Sequence, residues 1–213
     1  MDAHPAPAEP AAAADRGDLF ATVRDLIESR QTVLPKRLVE PGPTPAELQM
    51  LLELAAAAPD HGQLTPWRFI AVPPPQRHRL AEAFAAALAE RDPAATPEQL
   101  AQAREKAYRA PLLLLAVACL GPREPDVPAA ERLVSMGAAL QNLLLGAHAL
   151  GYGAGLTSGQ AMASPHLHRL CALAPGEVPV CCVNIGTATR GSHRPRPRPL
   201  PAQLLAELPP EAA

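Results

Sequence analysis

Between residues 18 and 190 the apolar positions switch repeatedly between a helical period and unbroken runs. From Asp18 to Arg30, Leu19, Val23, Leu26 and Ile27 fall on one stripe of a helix. Thr44-Pro45-Ala46-Glu47 reads as a capping box with proline at the first helical position. It predicts a helix that turns Leu48, Leu51, Leu52, Ala55 and Ala58 one way and stops at Pro59. Residues 68–72 (RFIAV) predict a short strand, ended by three prolines. Residues 76–91 return to helix, with Leu80, Phe84 and Leu88 four apart. Thr96-Pro97-Glu98-Gln99 repeats the capping logic and opens a helix reaching about Tyr108.

The second half is more apolar. Residues 112–120 (LLLLAVACL) show no alternation, the pattern of a strand buried on both faces. Residues 130–150 predict a long, almost wholly apolar helix, which belongs in the centre of a molecule or in a subunit interface. Gly151, Gly153 and Gly155 end it and would let backbone approach something flat. Residues 178–185 (VPVCCVNI) predict a further buried strand. Together these elements predict an α+β sandwich, a small central sheet wrapped by helices. The surplus of apolar helix surface points to an obligate dimer.

Composition sets the boundaries. The 213 residues suit one domain with tails. Residues 1–17, Ala, Pro and Asp with little to bury, predict a disordered tail; residues 18–190 form the domain; residues 191–213 form an extended arm and tail. The arm contains SHRPRPRPLP, where alternating proline forbids a helix or a central strand. It is either a solvated tail or an arm laid across a partner subunit. Apolar residues make up 48% but aromatic ones only 3%, so the core must be Ala, Leu and Val. A charge of −2, from 19 basic and 21 acidic side chains, argues against a general nucleic-acid binder. No apolar run approaches the ~18 residues of a membrane span. The N-terminus lacks a basic start followed by an apolar block, and the four cysteines lack CxxC spacing, so a reduced, cytoplasmic protein is expected.

Most candidate chemistry has a plain explanation. The glycines at 151–155 follow a helix, whereas a dinucleotide fingerprint follows a strand and opens a helix. There is no Walker A motif, HExxH, Ser-His-Asp arrangement or paired-carboxylate setting, and no metal site is expected. His166 and His168 would point about 200° apart on a helix and read as surface residues. Cys119, Cys181 and Cys182 fall in buried strand patterns, leaving Cys171 as the accessible thiol. Two segments exceed the needs of a scaffold. One is Ser29-Arg30-Gln31-Thr32, where a cation two residues before a hydroxyl can hold a phosphate. The other, residues 58–69, gathers a helix stop, a glycine, His61 and the chain's one tryptophan in a loop entering a strand, a common setting for sites.

IESRQT (27–32), APDHGQLTPWRF (58–69), KAYRAPLLLLAVA (106–118), MGAALQNLLLGAHALGYGAG (136–155), LTSG (156–159) and NIGT (184–187) occur in an order and spacing that resembles the nitroreductase-like family of FMN-dependent oxidoreductases, in particular its small homodimeric NAD(P)H nitroreductases. The resemblance spans about residues 19–200. It implies a nitroreductase-like sandwich with a mainly antiparallel sheet, dimerised through the long apolar helix, with an FMN at each side of the interface. By position, Arg30, Gln31 and Thr32 correspond to the grip on the phosphate and ribityl chain, His61 to a residue given by the other subunit, and Leu156, Thr157 and Ser158 to the stretch along the isoalloxazine ring. Ala57 stands where relatives often carry a polar or basic flavin contact. For the positive charge usual near the ring's pyrimidine end, Arg68 and Arg109 are equal candidates. The resemblance favours the Arg-Pro arm as an embrace of the partner. It implies no catalytic side chain, because flavin N5 carries the chemistry: NADH or NADPH gives electrons, and a nitroaromatic, quinone or related small acceptor takes them by ping-pong kinetics. The alternatives are a specialised flavin reaction such as dehalogenation on the same scaffold, a non-catalytic flavin carrier or sensor, and a helical interaction protein without cofactor.

Overall fold

The computed structural model describes residues 13–124, 126–189 and 197–209. Six α-helices and five strands make up its main elements: α1 (Ala13–Ser29), β1 (Leu38–Val39), α2 (Pro45–Ala56), β2 (Trp67–Ala71), α3 (Arg77–Arg91), α4 (Pro97–Glu105), β3 (Leu112–Cys119), α5 (Ala129–Ala149), β4 (Gly153–Thr157), α6 (Pro165–Leu170) and β5 (Glu177–Ala188). Helix α1 begins five residues before the expected domain boundary; the rest of the expected tail, residues 1–12, lies outside the described residues. Both capping boxes form: the hydroxyls of Thr44 and Thr96 accept from the backbone N–H of Glu47 and Gln99, whose side chains accept in return.

The sheet runs β1-β5-β3-β2, with β4 added to β5, and every strand pair is antiparallel. Strand β5 is the hub, because its 12 residues reach three partners. The unbroken apolar run of β3 serves two cores. Leu114, Ala116 and Ala118 face α2 and α5, where Leu51, Met136, Ala139 and Leu143 are fully buried. Leu113, Leu115 and Val117 face α3 and α6, packing on Leu80, Phe84 and Leu167. Period-two alternation thus feeds both faces of a sheet covered on both sides.

Helix α5 differs from the expected all-round burial. One face is in the core, but Val134 is 73% exposed and Leu133 lies beside it in the open. The α1 stripe is also uncovered, with Phe20 at 67% and Leu19, Val23 and Ile27 exposed. Gly151 closes α5 with φ of +86°, as a helix-ending glycine should. Gly153 and Gly155, however, belong to a strand, β4, which the glycine-rich pattern concealed.

Two buried arginines tie loops to the core through main-chain carbonyls, with no carboxylate partner among the described residues. Arg77 donates to the carbonyls of Val72, Ala107 and Pro111 at 2.6, 2.7 and 2.9 Å. Arg132 donates to the carbonyls of Val127, Cys119, Arg123 and Glu124, closing the loop before α5.

Candidate active site

The chain leaves α1 at Ser29 and runs as an extended segment along β4. Thr32 bridges Ala154, and the Val33 N–H donates to the Ala154 carbonyl at 2.9 Å. The approach depends on glycine: a Cβ at Gly155 would overlap the Val33 carbonyl, and one at Gly153 would lie 2.9 Å from side-chain atoms of Leu38 and Ala188. The close neighbour of the glycine-rich run is therefore backbone of this same chain. Arg30, Gln31 and Thr32 are in this way placed beside the strand that continues into Leu156 and Thr157. The Nε of Arg30 is buried, and among the described residues no acceptor reaches it. A buried guanidinium edge without a partner is costly, and an oxyanion is the ligand that would satisfy it.

Leu156 is 39% exposed at the strand end. The neighbouring hydroxyls are tied back. Thr157 Oγ1 accepts from Asn184 Nδ2 at 3.1 Å, and Ser158 Oγ donates to the Val180 carbonyl at 2.9 Å. Asn184 is buried and also donates to the Gly155 carbonyl at 3.2 Å, so it fixes the end of β4. Its role was detectable only as a polar residue inside the apolar run of β5.

Thr157, Ser158 and Asn184 border a cavity of about 730 Å³ under α3 and α4. Leu34, Phe84, Leu88, Leu113 and Met162 give it an apolar lining, and Lys36, Arg91, Lys106 and Arg109 a positive one. Lys36, Arg91 and Lys106 were missed in the sequence because nothing there brings residue 36 to residue 106. Arg109 pairs with Glu105 at 3.2 Å and still faces the cavity. Arg68 does not line it. Its guanidinium makes two bonds, of 2.6 and 2.8 Å, to Glu177, beside Trp67 and Cys119 in a separate depression. That pairing holds the Glu177 carboxyl down at about 2.

His61 lies elsewhere. It starts a short turn after α2, its side chain is exposed, and its Nδ1 is 2.7 Å from Glu131 in the first turn of α5. Ser29, beside Arg30, reaches His148 in the last turn of the same helix at 2.8 Å. Glu131 and His148 are 17 positions apart on α5, about 25 Å at the helical rise. Within one chain His61 is thus remote from Arg30. Ala57 is exposed and brings no polar group. Trp67 is structural: half-buried, it donates to Ser135 Oγ at 3.0 Å and packs tilted against Phe69.

Burial pushes the Cys181 thiol up to about 11 and Cys182 to about 12, which suits inert core residues. Cys171, expected to be accessible, is half-buried and its thiol is also raised by burial. His166 sits 3.6 Å from Glu90, and His168 makes no shared site with it among the described residues.

A model of the nitroreductase family matches residues 27–187. The chain belongs to the nitroreductase family. A Haemophilus influenzae relative, named "Putative NAD(P)H nitroreductase", is 31% identical over 159 residues, 75% of this chain and 85% of its own. Among solved structures, a Desulfovibrio desulfuricans protein described as "a putative nitroreductase in complex with fmn" superposes with a TM-score of 0.64 at 25% identity, over 88% of this chain and 96% of that one. The FMN-dependent nitroreductase NfnB of Mycobacterium smegmatis, in complex with NADPH, gives 0.71 at 17% identity, over 89% and 99%. As a nitroreductase, the chain has the expected α+β fold with an antiparallel sheet wrapped by helices.

Proposed function

We propose that this nitroreductase is a homodimeric, FMN-dependent NAD(P)H oxidoreductase whose two flavin sites lie at the subunit interface. The observation that carries the reading is the buried Nε of Arg30, which no acceptor reaches among the described residues, on the segment that Thr32 bridges to β4. A phosphate fits there, with Arg30 as a charged fork and Thr32 as an exposed hydroxyl two residues on, while Gln31 flanks the ribityl chain. Leu156 offers apolar surface to the ring. With the Ser158 hydroxyl donating to Val180, what remains for the ring edge is the backbone of these residues and the O–H of Thr157, whose oxygen accepts from Asn184. Bound FMN supplies the redox chemistry, two-electron exchange first with a nicotinamide and then with an acceptor. Lys36 and Arg109 provide the positive charge beside the ring's pyrimidine end, where it favours negative charge developing in the cavity.

Dimerisation explains both the uncovered apolar faces of α1 and α5 and the position of His61. A two-fold axis that pairs α5 with its copy head to tail places the start of one helix near the end of the other. His61 of each subunit then serves the flavin gripped by its partner. Residues 197–209, with Leu204, Leu205 and Leu208 exposed, extend the same logic: the arm lies across the partner. One cavity for donor and acceptor gives ping-pong kinetics, with a nitroaromatic, quinone or related small molecule as acceptor.

Purification without added cofactor, followed by absorbance spectroscopy and anaerobic mixing with NADH or NADPH, tests this. The expected protein is a yellow dimer bleached by one or both nicotinamides. A colourless monomer indifferent to micromolar FMN overturns the reading, and a yellow protein that neither nicotinamide bleaches reduces it to a carrier.

A further inference from the structure

Both lysines of the chain, Lys36 and Lys106, line the same cavity, together with Arg91 and Arg109. Among the described residues no aspartate or glutamate lines it. This is notable in a chain with more acidic than basic residues overall. Of the four cations, Arg109 is paired with Glu105. Arg91, in the last turn of α3, and Lys106, just after α4, make no ion pair among the described residues. Carboxylates nearby are already engaged: Glu82 by Arg104 and Glu105 by Arg109. The same cavity is also lined by the apolar side chains of Phe84, Leu88, Leu113 and Met162, with Leu88 and Phe84 one and two turns before Arg91 on α3.

We infer that the acceptor is an anionic molecule: a flat apolar body resting on Phe84, Leu88 and Met162, with a carboxylate or similar group held by Arg91 and Lys106. The reasoning is electrostatic. Low-dielectric walls focus the field of clustered charges, and a cavity whose cations exceed their paired carboxylates admits anions and disfavours cations. Two charge-assisted contacts outweigh the loss of hydration best for a ligand whose remaining surface is apolar, and the apolar part of the lining matches such a surface. Cations committed to carboxylates would merely stiffen the scaffold; Arg91 and Lys106 are not so committed. The inference rests on the oxidoreductase reading, since it names what that same cavity receives.

The test compares 4-nitrobenzoate with its neutral methyl ester, in the wild type and in Arg91→Gln/Lys106→Gln, after flavin content has been measured. The acid-to-ester ratio of kcat/KM in the wild type, divided by that in the variant, cancels the intrinsic reactivity of the two compounds. Roughly tenfold is expected, falling in 0.5 M salt as exposed charges are screened. Calorimetric titration of both compounds into the same proteins needs no turnover and should give the acid a comparable preference, lost in the variant. A ratio near one in both measurements overturns the inference. So does a variant that loses its flavin, which would assign these cations to the cofactor phosphate. A variant with an unchanged acid-to-ester ratio but a collapsed preference between NADPH and NADH would assign them to the donor, and also overturns it. If the wild type neither binds flavin nor turns over, the oxidoreductase reading fails by itself, and the titration still decides whether the cavity selects anions.

Discussion

The Val33 carbonyl lies so close to Gly155 that no Cβ fits between them. This contact holds the Arg30–Val33 segment against β4 and so sets where Arg30 stands. Gly155→Ala must push the two apart. The expected cost is about 1–3 kcal/mol, typical of a forced overlap in a packed site, read as a lower denaturant midpoint together with lower flavin content. Gly17→Ala in α1, where nothing lies within 4 Å, is the contrast and should stabilise by up to about 1 kcal/mol. An unchanged midpoint for Gly155→Ala would mean the segment is free to move.

Most of the scaffold was legible because its signals are local. Capping boxes at Thr44 and Thr96, the proline after Ala58 and the apolar run of β3 each act within a few residues. Strand β4 was not legible, because glycines chosen for close approach to Val33 carry no strand signal of their own. Arg68 and Arg109 looked equivalent as sequence. Only the register that puts Arg68 beside Glu177 separates them. The cationic cavity is likewise a product of tertiary structure, joining residue 36 to residues 91–109.

If Arg30 holds the FMN phosphate as proposed, Arg30→Ala should lower FMN occupancy while leaving chemistry on the retained flavin intact. Flavin content by absorbance and turnover per bound flavin separate the two effects. Arg30→Lys keeps the charge but loses the fork, and should fall between them. A variant with full flavin content and no turnover would assign Arg30 a different role.

Arg132 is 2% exposed and Arg77 4%. Each donates to three or more main-chain carbonyls, so removing the guanidinium takes a partner from several acceptors at once. Arg77→Met and Arg132→Met should each cost about 3 kcal/mol or more, measured by denaturant unfolding. A loss below 1 kcal/mol would mean that water replaces the side chain at these carbonyls.

Glu177 gives the fold a defined acid sensitivity. Its bonds from Arg68, helped by the Ala174 N–H, hold its carboxyl at about 2 against an ordinary 4.5. A carboxyl whose folded value is depressed contributes stability that is complete above its unfolded value and is lost as pH falls through the folded one. The gap in unfolding free energy between wild type and Glu177→Gln should therefore be constant above pH 5 and shrink steadily toward pH 2. Mutating Arg68 to Gln should reproduce the loss at neutral pH. A gap independent of pH would mean that the pair contributes shape and not charge.

The separation of His61 from Arg30 along α5 gives the interface model its sharpest test. On the proposed reading, Arg30→Ala and His61→Ala should each lower flavin content as homodimers, since every site in them carries one lesion. A heterodimer, co-expressed with two tags and purified through both, distributes the lesions differently. If His61 serves the partner's site, one site receives both changes and the other receives neither. The heterodimer should then hold one flavin per dimer with wild-type affinity, and half the wild-type turnover. If the two residues serve the same chain's site, each site carries a single lesion and no wild-type site returns. Flavin titration of the three dimers distinguishes these patterns, and the second pattern would remove His61 from the partner's site.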